Sequence, residues 1–257
     1  MSSARDVFGA GPTVIGHRGC GCGVVDGHAQ NTLDSFAAAV ASGAQWVEAD
    51  VRRTGDDVPV VAHDPAYPDG AVLAELPVAE TDRRGTLRLS TLLAELPPAV
   101  GVNIDLKSSM EDCLRTPDRT TAGLVAPVAL YEAGRRPLMV SSFDPGALRL
   151  LREEAPSVPL GLLTWHRFPL EMAVSACAHL DIEVLALHAG SLGAGAPGGR
   201  LDERFLERVL SLVHGCARQL LVWCPGAALA GFLLSAGTDA VVVDDVPRVL
   251  GALTALA

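Results

Sequence analysis

Four short clusters hold most of the side chains that could do chemistry: His17-Arg18-Gly19, Glu48-Ala49-Asp50, His63-Asp64 and Asp105-Leu106-Lys107. Residues two apart on an extended chain share a face. Glu48 and Asp50 therefore form one pair, and Asp105 and Lys107 another. Three carboxylates brought together raise one another's pKa values unless a cation sits among them. All-oxygen ligation of this kind suits Mg²⁺ or Ca²⁺ rather than zinc. The plainer alternative pairs each carboxylate with a surface arginine, but Glu48 and Asp50 lie in an apolar-flanked run, where an unpaired charge is expensive. A single histidine at a strand end is more often structural than catalytic. Two of them, His17 and His63, beside an acidic cluster could divide general-base and general-acid work on a phosphodiester near neutral pH. Arg18 through its planar fork and Lys107 as a point charge could hold the non-bridging phosphate oxygens. Lys107 is the only lysine; every other basic residue is arginine.

The elements that must position these groups read as repeated βα units. Short β-branched runs alternate with amphipathic stretches of helical length, the sign of a parallel sheet. Candidate strands are Thr13–Gly16, Trp46–Asp50, Gly101–Lys107, Leu138–Ser141, Leu160–Leu163, Val184–Leu187, Leu220–Trp223 and Ala240–Val243. Eight strands are the number that closes a (β/α)8 TIM barrel, whose catalytic groups sit at the C-terminal strand ends. A doubly wound sheet shares the alternation, but the first strand is followed by no Gly-rich phosphate loop. Asn31 or Thr32 can cap the helix through Phe36, with Gly43 as its stop. Asp144-Pro145 and Asp202 start two more helices, the latter ended by Gly215. Val58–Ala62 follows the second strand too closely for a helix to intervene. It reads as the return arm of a β-hairpin turning at Thr54–Asp57, an extension that brings His63 back roughly opposite Glu48.

The 257 residues fit a single barrel domain, 1–257. Apolar residues make up 49% of the chain, ample for a core. The net charge of −10 argues against a nucleic-acid partner, because phosphate backbones are bound by excess Lys and Arg. It leaves a small phosphate-bearing substrate open, since a metal and local cations can reverse the field in one cleft. No apolar run reaches membrane-span length, and Met1 to Gly11 carries no secretory pattern, so the expected compartment is the cytoplasm. The six cysteines are scattered; Cys20 and Cys22, one residue apart, do not have zinc spacing and read as free thiols. Nothing in the chain indicates the oligomeric state.

Taken in order, Val14-Ile15-Gly16-His17-Arg18-Gly19, Gln30-Asn31-Thr32-Leu33, Phe36, Gly43-Ala44, Val47-Glu48-Ala49-Asp50-Val51 and His63-Asp64 resemble the glycerophosphodiester phosphodiesterase family. Asn103 to Lys107, Ser142-Phe143 and Asp239 through Pro247 continue the resemblance over nearly the whole chain. It implies that His17 and His63 act as acid and base. Glu48, Asp50 and Asp105 would bind one divalent cation, Mg²⁺ or Ca²⁺, and Arg18 and Lys107 would contact phosphate. The implied reaction converts a glycerophosphodiester and water to glycerol 3-phosphate and an alcohol, with a cyclic phosphate as a plausible intermediate.

The chain departs from the family pattern in places. Gln30 stands where the family usually has Glu, and Asp105 is one methylene shorter than the usual third-strand acid. Trp223-Cys224-Pro225-Gly226 replaces a Trp-Thr-Val-Asn pattern in the loop that helps shape the leaving-group pocket. Asp244-Asp245 replaces Thr-Asp, and Cys20-Gly21-Cys22-Gly23 is unusual. Trp223 and Phe143 could line the substrate pocket, although core packing explains both nearly as well. His188 lies just past a strand end on the functional side; His179 and His214 sit near helix C-termini, where positive charge is favourable. Two alternatives stand beside the hydrolase: a lyase-like or lysophospholipid-cleaving relative that stops at the cyclic phosphate, and a degenerate barrel that binds a phosphodiester or metal without turnover.

Overall fold

The computed structural model describes residues 6–9, 11–193 and 201–254; Met1–Arg5 and Ala10 of the N-terminal stretch read above lie outside these. Eight parallel strands form one closed ring. They are β1 (Thr13–Gly16), β2 (Trp46–Arg53), β3 (Gly101–Leu106), β4 (Leu138–Ser142), β5 (Leu160–Leu163), β6 (Val184–His188), β7 (Gln219–Trp223) and β8 (Ala240–Val243). Each strand pairs with the next, and β8 closes on β1 through Gly16↔Val243. Outside the ring run α1 (Leu33–Ala41), α2 (Val78–Arg83), α3 (Leu89–Glu95), α4 (Thr121–Ala133), α5 (Pro145–Glu154), α6 (Leu170–His179), α7 (Glu203–Gly215), α8 (Ala227–Ser235) and α9 (Val246–Thr254). No helix among the described residues is long and apolar enough to cross a membrane.

Alternation along each strand sorts its side chains into two cores. Val47, Ala49, Ile104, Val140, Leu185, Val222 and Val241 face the helices. Ile15, Trp46, Met139, Leu163, Ala186, Leu221 and Val242 fill the barrel itself, with Phe8 beneath, its ring edge-on to Trp46 at 5.5 Å. Gly101 makes this floor possible: a Cβ there would lie 2.2 Å from the Trp46 ring. Along the same inward face, Trp46 is followed by Glu48 and Asp50, Gly101 by Asn103 and Asp105, and Met139 by Ser141. The interior is thus apolar at the floor and polar at the C-terminal mouth.

Val58–Val61 returns from a turn at Thr54–Asp57, and Pro59–Val61 pairs antiparallel with Val51–Arg53. A short strand, Leu87–Arg88, adds outside it. Val61 is opposite Val51, so the register carried two residues on sets His63 against Ala49, one residue from the expected Glu48. Buried Arg53 ties this extension down: its Nε donates to Asp112 Oδ1 at 2.6 Å, and Asp112 Oδ2 accepts from Thr121 N at 3.1 Å at the start of α4. Thr32 caps α1, accepting from Ser35 N, while Asp144 and Asp202 cap α5 and α7. Helix α7 includes Gly215, and the chain turns instead at Ala217, φ +59°.

Candidate active site

The loop after β1 is bent back on itself. Arg18 and Gly19 both have positive φ, +54° and +97°, and a Cβ on Gly19 would lie 2.6 Å from Ser35 Oγ. The loop therefore lies against the first turn of α1, where Ser35 Oγ accepts from Cys20 N at 2.9 Å. A two-residue hairpin follows, Val24–Val25 against His28–Ala29, with Asp26 and Gly27 both left-handed as such a turn requires. It returns Gln30 and Asn31 beside Arg18. Gln30 Oε1 accepts from Arg18 Nη1 at 3.0 Å and from Gly23 N at 2.7 Å. Asn31 caps nothing; its Nδ2 donates to Asp50 Oδ2 at 3.0 Å.

Glu48, Asp50 and Asp105 are all buried, with oxygens that lie within 4.8 Å of one another. Strand register explains the meeting, since Asp50 is opposite Asp105 and both point inward. Arg18 Nε lies 3.0 Å from Asp50 Oδ2, and Lys107 Nζ lies 3.1 Å from Asp50 Oδ1 and also donates to Asp105 Oδ2. The two cations expected on phosphate thus already touch the carboxylates, because buried charges of opposite sign cannot stay apart cheaply. Burial, with the Asp50 charge beside it, pushes Glu48 up to about 8. Burial likewise raises Asp105 to about 6, Asp50 adding to the shift and Lys107 opposing it. Burial would raise Asp50 too, but Lys107 and Arg18 outweigh it and hold that carboxyl below its ordinary value. Glu48 Oε1, Asp105 Oδ1 and Asn31 Oδ1 are buried without a hydrogen-bond partner. Oxygens left over in this way, in an all-oxygen acidic set, fit a hard divalent cation.

His17 follows β1 directly, its N–H donating to Val243 O at 3.1 Å. Its Nδ1 is 2.5 Å from Asp244 Oδ1; a carboxylate only accepts, so Nδ1 carries the proton. Nε2 is left on the other side, 3.9 Å from Glu48 Oε2. Burial disfavours charge on His17, but the bonds to Asp244 and Cys224 and the Glu48 charge raise its pKa well above 6.5. His63 is more exposed, with Nδ1 2.8 Å from Asp64 Oδ1 and its carbonyl accepting from Arg52 Nε at 2.8 Å.

Both histidines, Arg18, Lys107, Glu48, Asp105 and Trp223 line one cavity of about 130 Å³ at the barrel mouth. Asp50 lies behind it, fully buried. Phe143, Leu163 and Trp165 form the facing apolar wall. Phe143 is stacked on Trp165 with centroids 4.0 Å apart, and Trp223 meets both Phe143 and His188 edge-on. A larger hollow of about 540 Å³ opens between Met110–Leu114 and α5, but neither histidine lines it; chemistry rather than volume selects the site. Sequence reasoning missed Asp244 as the partner of His17, Asn31 as a partner of Asp50, and Trp165. The strand-end rule, applied to β8 as to the first three strands, points to Asp244; no local signal marks Trp165.

The sequence profile described as "Glycerophosphoryl diester phosphodiesterase family" matches residues 17–247. The chain is 26% identical over 208 residues, 60% of its length, to a glycerophosphocholine phosphodiesterase of Homo sapiens. It is 49% identical over 55 residues, 20% of its length, to one of Candida albicans. These matches span 31% and 5% of the two relatives. Among solved structures, an Oleispira antarctica phosphodiesterase in complex with the product sn-glycerol-3-phosphate superposes with a TM-score of 0.73 at 23% identity. That match covers 96% of this chain and 99% of the other. A Thermotoga maritima glycerophosphodiester phosphodiesterase superposes with a TM-score of 0.70 at 21% identity, covering 93% and 96%. These structural likenesses are likenesses of fold. With the profile running from the first histidine of the site to the helix that follows β8, the chain belongs to the glycerophosphoryl diester phosphodiesterase family.

Proposed function

We propose that this protein hydrolyses glycerophosphodiesters to glycerol 3-phosphate and an alcohol, with one divalent cation, Mg²⁺ or Ca²⁺, held by Glu48, Asp50 and Asp105. The observation that carries this reading is the convergence of two histidines, two cations and a buried carboxylate cluster on one cavity. A bound divalent cation supplies charge to the phosphoryl oxygens. Arg18 and Lys107 hold the remaining non-bridging oxygens. In the neutral form that a general base requires, Asp244 keeps the His17 proton on Nδ1, which leaves the Nε2 lone pair available inside the site. One imidazole takes the proton of the attacking hydroxyl, water or the glycerol 2-hydroxyl. The other gives a proton to the departing alcohol oxygen as its bond to phosphorus breaks. Phe143, Trp165 and Trp223 offer that alcohol an apolar wall.

The test is release of glycerol 3-phosphate from glycerophosphocholine and glycerophosphoethanolamine with Mg²⁺, with Ca²⁺ and with EDTA. Release is expected with a metal, lost in EDTA, and reduced about 10²- to 10⁴-fold in His17→Ala. A persistent cyclic phosphate would instead mark a lyase. No turnover with either metal, on lysophospholipids as on these diesters, would favour a barrel that only binds.

A further inference from the structure

Two of the chain's departures from the family pattern, Cys224 after β7 and Asp244 after β8, meet on the same side of His17. Cys224 Sγ lies 3.9 Å from His17 Nδ1 and 3.6 Å from Asp244 Oδ1, and the histidine and aspartate atoms are 2.5 Å apart. The backbone is bent to allow this. Cys224 has φ +55°, a conformation unusual for a side-chain-bearing residue, with its N–H fixed on Val242 O at 2.8 Å. One nitrogen, one sulfur and one oxygen thus form a triangle whose two sulfur edges, 3.9 and 3.6 Å, are near those of ligands around a tetrahedral ion, while the nitrogen–oxygen edge is held at 2.5 Å by the proton that a metal would replace. All three residues are only partly buried, so the corner has an open side for water as a fourth ligand. The donors are also of a different kind from those of Glu48, Asp50 and Asp105. An all-oxygen set takes hard ions, whereas a thiolate with an imidazole takes zinc and its soft neighbours.

We propose that His17 Nδ1, Cys224 Sγ and Asp244 Oδ1 form a second cation site, selective for a thiophilic divalent ion such as Zn²⁺, and that filling it withdraws His17 from catalysis. Cys224 enters as the thiolate, its proton passing to solvent, and the neutral His17 ring enters through Nδ1. With Nδ1 on the metal, the ring's single proton moves from Nδ1 to Nε2. The imidazole then has no lone pair with which to accept a proton inside the cavity. The inhibition rests on the hydrolase reading; the site itself does not.

Co²⁺ titrated into the full chain in excess Mg²⁺ reads the site without substrate. A near-ultraviolet thiolate-to-cobalt band is expected in the wild type and in Cys22→Ser, and is expected to vanish in Cys224→Ser. In the hydrolysis assay, again with excess Mg²⁺, Zn²⁺ is expected to inhibit the wild type. Loss of the sulfur ligand in Cys224→Ser should raise the half-inhibiting concentration by roughly tenfold or more, each protein being compared with its own zinc-free rate. A cobalt band that persists in Cys224→Ser would overturn the site. Equal zinc sensitivity of the two proteins would assign inhibition to the carboxylate cluster and overturn the withdrawal of His17. An inactive chain that still gives a Cys224-dependent band would overturn the hydrolase reading alone.

Discussion

Glu48 shows how a residue that suits function can work against the fold. Its ordinary value is 4.5, and burial beside Asp50 raises it to about 8 in the folded chain. At pH 7 the unfolded chain has lost this proton and the folded chain mostly keeps it. The contribution of Glu48 to stability is therefore most favourable below about 4.5 and declines as pH rises toward 8. Glu48→Gln removes the penalty. The metal-free variant should melt above the wild type at pH 7 to 8, with the gap closing below pH 4.5, a comparison that calorimetry across pH makes directly. The same residue predicts proton release on metal binding. Glu48 and Asp105, near 8 and 6, hold protons that a divalent cation must displace. Affinity for Mg²⁺ or Ca²⁺ should therefore rise between pH 6 and 8, and titration calorimetry in two buffers of unlike ionisation heat should count the protons released.

Among elements, the hairpin after β2 decides whether His63 reaches the cavity. A three-residue return strand is too short to be stable alone, and Arg53 anchors it. Asp112 serves the buried guanidinium and also accepts from Thr121 N and Oγ, at 3.1 and 3.0 Å, so one carboxylate joins the hairpin to α4. Asp112→Ala leaves Arg53 buried without its counter-charge, and the expected loss is about 3–5 kcal/mol in the urea-extrapolated unfolding free energy. Arg53→Met with Asp112→Leu, which removes both charges together, should recover most of it. If the double variant is as weak as the single one, the pair is not what holds the hairpin.

Across the whole molecule, the barrel separates stability from chemistry along its axis. The floor is apolar, with Phe8 and Trp46 packed edge to face, and the mouth carries every group assigned to the reaction. Phe8 is 8% exposed and reaches the barrel from outside its strands. Phe8→Ala should lower the unfolding free energy by about 3 kcal/mol, as for other buried phenylalanines. It should leave KM and kcat unchanged at temperatures where the variant is folded. A changed KM would mean that floor and mouth are coupled, and steady-state kinetics beside a thermal melt separates the two results.

By itself the sequence determined the eight strands and the residues at the ends of the first three. Both are local properties: β-branched runs between turns, and polar residues placed where an apolar run stops. Three strands, Thr13–Gly16, Leu160–Leu163 and Ala240–Val243, run between the expected residues, and the rest are longer or shorter by one to three at an end. The family resemblance was legible for the same reason, since its motifs are short and ordered along the chain. Only the tertiary structure decided what lies beside what across closure. His17 and Asp244 are 227 residues apart, and β8 pairing with β1 sets them 2.5 Å from each other. Cys224, 207 residues from His17, arrives by the same closure. Likewise Arg18 and Lys107 read as free cations in the sequence, but folding sets them, half-buried, against the buried Asp50, because a low-dielectric interior pairs the charges it encloses.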